Sequence, residues 1–139
     1  MIVEQRKKTK VKKKKKKKVV KLSTLRNKAD KLFYKLIVAL NNGKCEVCNK
    51  KAVTAHHFVP KSLSSLLRYD VRNGIAICLK EHFSHHKKAD PEIHWKVFKK
   101  RGAKWGDELI KIRHQKNQKY LGKEYYRSVI KRLEESLDK

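Results

Sequence analysis

The sequence predicts an α+β fold that is mostly helical and contains one small two-stranded unit. Apolar residues recur at helical spacing in two stretches, 25–40 and 121–137. Residues 53–59 alternate poorly but suit a short strand, residues 75–77 suit a short buried one, and turn-forming residues bound both segments. All three cysteines and five of the seven histidines fall within residues 45–86. We therefore expect the strands and the cysteine and histidine side chains to form one small motif between flanking helices.

The charge of the chain indicates a polyanionic partner. Lys and Arg total 39 against 13 Asp and Glu, which gives a formal charge of +26. Such an excess attracts nucleic acid, with DNA as the expected partner and RNA as an alternative. An anionic membrane surface is a further alternative, but the long basic helices that would serve it also have a core to build, so we expect no membrane partner. The longest apolar run, Leu36–Leu40, is also far too short to cross a bilayer.

The cysteines are spaced for metal binding and not for a disulfide framework. Cys45 and Cys48 form a C-x-x-C pair, and Cys78 is a distant third thiol. Three separate buried cysteines are the alternative interpretation. No apolar segment follows the basic N-terminus, so we expect no secretory signal. These features predict a cytoplasmic protein with reduced thiols, and a nuclear location stays open.

The sequence predicts a basic disordered arm at residues 1–22 and a single folded domain at residues 23–139. The arm holds twelve basic residues and one acid, Glu4, and it has few apolar residues to bury. We expect it to bind phosphates without reading sequence; a solubilising tail and a nuclear localisation signal are the alternatives. The expected contacts are Lys12, Lys13, Lys14, Lys15, Lys16, Lys17 and Lys18.

One helix is expected before the central motif and three after it. Ser23 or Thr24 can cap a first helix that runs to about Asn41 and stops at Asn42-Gly43. Its apolar face consists of Leu25, Ala29, Leu32, Phe33, Leu36, Ile37 and Leu40.

The helical region at 90–138 opens at Asp90-Pro91-Glu92, where an aspartate cap precedes a proline at the first helical position. That helix is expected to end at Arg101-Gly102. Trp105, Leu109 and Ile112 mark the next one, and the last helix runs from about Leu121 to Leu137.

The central motif, 45–86, predicts a metal-binding turn, a hairpin-like pair of strands and a helix. The turn Lys44–Asn49 lets two thiolates share an ion, and Pro60 ends the first strand. Asn73 and Gly74 form a turn before the second strand. The helix that follows carries His82 and His86 one turn apart on the same face.

Side-chain types in this motif suit phosphodiester hydrolysis. That reaction needs an activated water and stabilisation of the charge that develops on phosphate, and a metal ion supplies the second. A neutral histidine can accept the proton from water. Since neighbouring residues on a strand point to opposite faces, one of His56 and His57 can hold metal while the other faces water and phosphate.

The succession of His56-His57, Asn73 and His82-x-x-x-His86 resembles the HNH, or ββα-metal, nucleases, and in particular the colicin DNases. The resemblance covers about a third of the chain. It implies a ββα-metal unit with flanking helices in which His56 is a metal ligand and His57 is the general base. Asn73 would brace the loop that positions the base, and His82 and His86 would complete the catalytic metal site.

The added cysteines look like the zinc-knuckle HNH subgroup, and the whole layout is similar to phage recombination endonucleases of the NinG (Rap) type. The resemblance implies a structural zinc on Cys45, Cys48 and Cys78. Its fourth ligand is expected to be Glu81, because Cys78-x-x-Glu81 stands where a second C-x-x-C pair would be; a water is a further candidate. Alternatively His82 completes that site, and His85 or His86 then serves the catalytic metal.

Several residues also have a simpler interpretation. Asn73 can be only a turn former. His85 is expected to face solvent or a phosphate, and His94 and His114 are expected to be surface or capping residues. Arg68 can clamp a phosphate or pair with Asp70. Trp95 and Trp105 can stack on bases, although aromatic residues at helical spacing more often belong to a core.

The leading hypothesis is an endonuclease that hydrolyses DNA, with branched or recombination intermediates as candidate substrates, in a bacterium or a virus-infected cell. Its catalytic ion would be Mg²⁺, Mn²⁺, Zn²⁺ or Ni²⁺. The rival hypothesis is a zinc-containing nucleic-acid-binding protein without chemistry, and a third is an RNA-binding or ribosome-associated protein. A dimer would suit cutting of both strands, but the sequence leaves the oligomeric state open.

Overall fold

The fold is α+β and mostly helical, as the sequence predicts, with five helices and one two-stranded antiparallel sheet in the part of the chain described. The structure is a computed structural model that describes residues 15–88, 91–117 and 121–139. Within these residues no helix is both long and apolar enough to cross a membrane. The helices are α1 (Leu22–Leu40), α2 (Leu79–Lys88), α3 (Glu92–Arg101), α4 (Ala103–Arg113) and α5 (Lys123–Leu137), and the strands are β1 (Thr54–His57) and β2 (Gly74–Ile77).

Helix α1 begins and ends for reasons that are only partly visible in the sequence. It begins at Leu22, so Lys21 and not Ser23 or Thr24 occupies the N-cap, and no side chain caps it. The helix stops where predicted, because Asn42 and Gly43 adopt positive φ angles of 56° and 71°.

Helices α1 and α5 bury their apolar faces against each other and form the larger core. Phe33, Leu36 and Ile37 of α1 pack with Tyr126 and Leu133 of α5. Leu40, which the periodicity placed on the apolar face, is instead 62% exposed, since it lies in the last turn of α1. The other six residues of the predicted apolar face of α1 are buried or half-buried, so that face is otherwise confirmed.

The small sheet lies directly against α1. Its register pairs Thr54 with Ile77 and His57 with Gly74. A β-carbon built at Gly74 would lie 2.4 Å from the side chain of Ile37. Glycine therefore fits this position closely, because a larger residue would force the Ile37 side chain or the sheet to shift.

The remaining helices cover the other side of the sheet. Ile93 and Val97 of α3 pack on Ile75 and Ile77 of β2. Pro91 occupies the N-cap of α3 and makes no side-chain cap, and the predicted cap Asp90 lies outside the described residues. Gly102, at a φ of 90°, separates α3 from α4 where the sequence predicted the break.

The arm is described only in part. Lys15, Lys16, Lys17 and Lys18 are exposed and belong to no helix or strand. Lys12, Lys13 and Lys14 lie outside the described residues. The proposed contacts of the arm with phosphate therefore stay a prediction.

Candidate metal centre

Three histidines from three different elements converge at one point. His56 lies in β1, His85 in α2 and His94 in α3. One potential ligand nitrogen of each lies within 4.8 Å of those of the other two. The ring centroid of His56 is 4.1 Å from that of His85 and 5.6 Å from that of His94, and those of His85 and His94 are 5.2 Å apart. This histidine cluster could bind a metal ion.

The hydrogen bonding of the three rings fits a metal ion. Nε2 of His56, Nδ1 of His85 and Nε2 of His94 are buried and have no hydrogen-bond partner among the residues described. A buried polar nitrogen without a partner costs free energy, so three of them at one point would be unusual without a ligand. Neutral imidazole nitrogens are common ligands of divalent zinc and related ions. The donor set therefore fits a divalent ion.

Burial favours the uncharged form of two rings in the histidine cluster, those of His56 and His94. Desolvation, followed by the neighbouring rings of His85, His94, His86 and His57, lowers the pKa of His56 to about 3. Desolvation and then the proximity of His85 lower the pKa of His94. Because both rings are neutral at physiological pH, their lone pairs are available to an ion without displacing a proton.

The cluster is not the ligand set that the sequence predicted. His82 and His86 do share a face of α2, with ring centroids 4.5 Å apart. Neither His82 nor His86 belongs to the cluster found in the described residues. His86 is exposed and lies at the edge of the cluster, with its ring centroid 5.7 Å from that of His56. The predicted combination of His56 with His82 and His86 is thus replaced by His56, His85 and His94.

The orientation of α2 and the packing of α3 explain this correction. Successive residues turn by about 100° around a helix, so His85 and His86 cannot both face β1, and it is His85 that does. His94 is delivered by α3, whose Ile93 and Val97 are held in the core beneath the sheet. The expectations that His85 faces solvent and that His94 is a surface residue are therefore wrong. No local spacing links His94 to the motif, so the sequence offered no direct signal for it.

His57 lies on the opposite face of β1, as strand alternation predicts, but it does not face water. Its side chain is 6% exposed and is stacked on Phe33, with ring centroids 5.2 Å apart. Its Nε2 lies 2.8 Å from the carbonyl oxygen of Arg68. A carbonyl oxygen can only accept a hydrogen bond, so Nε2 carries the proton and Nδ1 holds the free lone pair. Burial lowers the pKa of His57, although the Arg68 carbonyl opposes that effect.

Asn73 braces the segment between the two strands. It is completely buried, and its Oδ1 accepts a hydrogen bond of 2.7 Å from the N–H of Val59. Its Nδ2 donates to the carbonyl oxygens of Val59 (2.9 Å) and Leu67 (3.2 Å). These bonds tie both ends of segment 59–67 to the start of β2, next to the carbonyl that holds His57. Asn73 is therefore more than a turn former.

Arg68 makes a contact that neither alternative anticipated. Its Nε and Nη2 donate to Oδ1 and Oδ2 of Asp30 at 3.0 Å and 2.7 Å, and Tyr69 donates its hydroxyl to Oδ1 at 2.8 Å. Asp70 pairs with Arg72 instead. Burial would raise the pKa of Asp30, but its bonds to Arg68 and Tyr69 outweigh that and lower it. Asp30 was missed because an isolated acid on a basic helix carries no motif.

The three cysteines form a second group that could bind a metal ion. The Sγ atoms of Cys45, Cys48 and Cys78 lie within 4.8 Å of one another, and those of Cys48 and Cys78 are 3.5 Å apart. Burial would raise the pKa of Cys78, but the backbone N–H of Glu81, the thiol groups of its neighbours and the N–H of Lys80 lower it. The thiolate is therefore stabilised at the start of α2.

The fourth ligand expected for this thiol group is not part of it. Within the described residues the group contains the three thiols alone, and neither the carboxylate of Glu81 nor the ring of His82 lies among them. Glu81 contributes through its main-chain N–H and not through its side chain. The side chain of Glu81 occupies the first turn of α2, where an acid also favours the helix dipole.

The two tryptophans have different surroundings. Trp105 packs on Phe58, with ring centroids 4.6 Å apart, and its ring centroid lies 4.9 Å from the guanidinium carbon of Arg101. Its Nε1 donates a hydrogen bond of 2.9 Å to the carbonyl oxygen of Arg72. Trp105 therefore belongs to the core. Trp95 is 64% exposed. His114 is exposed at the C-cap of α4, as expected.

Comparison of the chain with protein-family models, with curated proteins and with solved structures found no match. The resemblance to HNH nucleases therefore rests on the residues of this chain alone.

Proposed function

We propose that this protein is a metal-dependent endonuclease whose catalytic ion is held by His56, His85 and His94. The observation that carries the proposal is the convergence of three histidines from three separate elements, each with a buried ring nitrogen that has no hydrogen-bond partner in the described part of the chain. Three protein ligands are the usual number for a catalytic zinc site, because the remaining position is left to water or substrate. A bound divalent ion would polarise a phosphoryl oxygen and lower the pKa of a bound water.

The two ligand groups differ in the type of donor atom, as structural and catalytic metal sites often do. Thiolates at Cys45, Cys48 and Cys78 suit a structural zinc, which contributes folding free energy. The histidine cluster has no thiolate, and exposed His86 lies beside it within reach of solvent. One structural zinc would not require a second set of three ligands, so the histidine cluster calls for a separate role.

His57 is the candidate general base. Its protonated Nε2 is fixed by the Arg68 carbonyl, so the free lone pair is on Nδ1. Its lowered pKa keeps the ring neutral, as a proton acceptor must be. Asn73 holds the segment that presents this carbonyl, and Asp30 holds the Arg68 side chain. The role carried over from the HNH nucleases therefore has a physical basis in the fixed orientation of the ring.

The substrate is proposed to be nucleic acid, with DNA first. The charge of +26 supports binding through phosphates, which is independent of sequence and sensitive to salt. A branched or recombination intermediate remains the more specific candidate that the phage resemblance implies.

One observation favours a second function. His57 is only 6% exposed and is covered by Phe33, which is what a structural histidine would show. If His57 has no access to water, the protein would be a metal-containing nucleic-acid-binding protein without hydrolysis.

The deciding experiment measures nicking of supercoiled, linear and branched DNA with Mg²⁺, Mn²⁺, Zn²⁺ and Ni²⁺. We expect His94→Ala to abolish cleavage and remove one equivalent of bound metal, whereas the matched variant His82→Ala keeps that equivalent. His57→Ala should lose cleavage and keep both metals and DNA affinity, because a general base contributes mainly to the transition state.

Three outcomes would contradict the proposal. Absence of cleavage with every metal, while DNA binding persists, would select the non-catalytic function. Loss of the metal in His82→Ala but not in His94→Ala would restore the ligand set predicted from the sequence. Full activity in His57→Ala would remove that residue from the mechanism.

A further inference from the structure

Two exposed aromatic side chains lie on the helices that supply the histidine cluster. Among the described phenylalanines, tyrosines and tryptophans, only Phe83 and Trp95 are exposed, at 54% and 64%. Phe83 is in α2, two residues before His85, and Trp95 is in α3, directly after His94. All other described aromatic rings are buried or half-buried. Two residues correspond to about 200° around a helix, so Phe83 lies on the side of α2 opposite His85, and Trp95 is the exposed ring beside the histidine cluster.

No aromatic or cationic partner in the described residues explains the position of these two rings. Neither ring pairs with another aromatic ring or with a cation in the described parts of the chain, whereas Trp105 has both kinds of partner. Trp95 is about 100° around α3 from the inward-facing His94, so it flanks the cluster. An exposed tryptophan leaves a large apolar surface in water, which a flat ligand would cover.

The charges near Trp95 identify the class of that ligand. Lys99 follows one turn later on the same side of α3, and Lys100 is also exposed. An apolar protein partner would have to cover these ammonium groups, whereas a nucleic acid strand offers phosphates to the lysines and a flat base to the ring. Base stacking on aromatic side chains tolerates any sequence, because every base has a π-face.

We propose that Trp95 stacks an unpaired base of a single nucleic acid strand beside the histidine cluster. Stacking of this kind requires bases that are free of the double helix, so the preferred substrate is single-stranded or locally unpaired. This inference rests on the proposed nuclease function and specifies its substrate. A locally unpaired junction would satisfy it, and an intact duplex would not.

Intrinsic fluorescence tests the contact directly, because Trp95 and Trp105 are the only tryptophans. Oligothymidylate and oligouridylate are titrated into the protein and compared with a dumbbell duplex whose ends are closed. We expect quenching by both single strands and little by the dumbbell. In Trp95→Phe the quenching should disappear while affinity is kept, since the phenyl ring can still stack.

Binding of the same oligonucleotides to Trp95→Ala tests the energetic role of this ring. We expect affinity for single strands to fall about tenfold in this variant and affinity for the dumbbell to stay unchanged. Leu40→Ala is the matched control, since Leu40 is equally exposed at 62% but lies at the end of α1. Equal losses on both substrates, losses as large in Leu40→Ala, or quenching that survives in Trp95→Phe would overturn the inference.

Cleavage assays separate this inference from the proposed function. Cleavage that is retained in Trp95→Ala with no preference for single strands would refute stacking and leave the nuclease intact. Selective quenching by single strands in a protein that cleaves nothing would support stacking and refute the nuclease.

Discussion

Replacement of Asn73 by alanine should destabilise the protein strongly, and the structure allows the size of the effect to be worked out. The variant removes the acceptor for the buried N–H of Val59, and an orphaned buried donor costs about 1–3 kcal/mol. It also removes the donor to the carbonyls of Val59 and Leu67, each worth about 0.5–1.5 kcal/mol net. We therefore expect the free energy of unfolding to fall by about 3 kcal/mol.

Urea unfolding with saturating zinc measures this change, because constant metal occupancy keeps ligand stabilisation equal in both proteins. With an m-value of about 2 kcal/mol/M, the midpoint should fall by about 1.5 M urea. Asn41→Ala is the matched control, since the Nδ2 of Asn41 donates a single exposed bond to the carbonyl of Lys44. Its cost should stay within about 0.5 kcal/mol. Equal midpoints for Asn73→Ala and Asn41→Ala would refute the bracing role.

Three further predictions concern the rest of the chain. Asp30→Ala should cost about 3 kcal/mol in urea unfolding, because it leaves Arg68 as an unpaired, largely buried charge. The pKa of Asp30 in the folded protein is below its ordinary value of 3.8. The contribution of Asp30 to stability should therefore be complete above pH 3.8 and be lost as the pH falls through the folded pKa. Unfolding of the wild type and of Asp30→Asn, compared over a range of acid pH, would show this loss. Cys45→Ser or Cys78→Ser should lose one zinc by metal analysis and much helical circular dichroism, and a folded variant with full zinc would contradict the structural site. Deletion of residues 1–20 should flatten the slope of log affinity against log salt without reducing single-turnover cleavage at saturating enzyme. On duplex DNA the slope should change by about 0.9 for each phosphate that the truncated protein no longer neutralises.

Much of the architecture followed from the sequence alone. The 3.6-residue period of α1 and α5 and the positive-φ stop at Asn42-Gly43 are local properties, so they were predicted nearly to the residue. The three thiols of Cys45, Cys48 and Cys78 were also predicted to lie together, from the C-x-x-C spacing and the resemblance to zinc-knuckle proteins, but the predicted fourth ligand Glu81 is not among them.

The composition of the histidine cluster was decided by tertiary structure. Periodicity shows which side chains share a helix face, and it correctly paired His82 with His86. It does not show which face of a helix a strand will meet, since that depends on tertiary packing. Helix α3 buries Ile93 and Val97 on the sheet, whereas Leu79 and Phe83, the apolar residues of α2, stay exposed. The packed arrangement turned His85 inward and brought His94 from another helix. Sequence spacing therefore determined that histidines would gather near β1, whereas packing determined which three nitrogens meet.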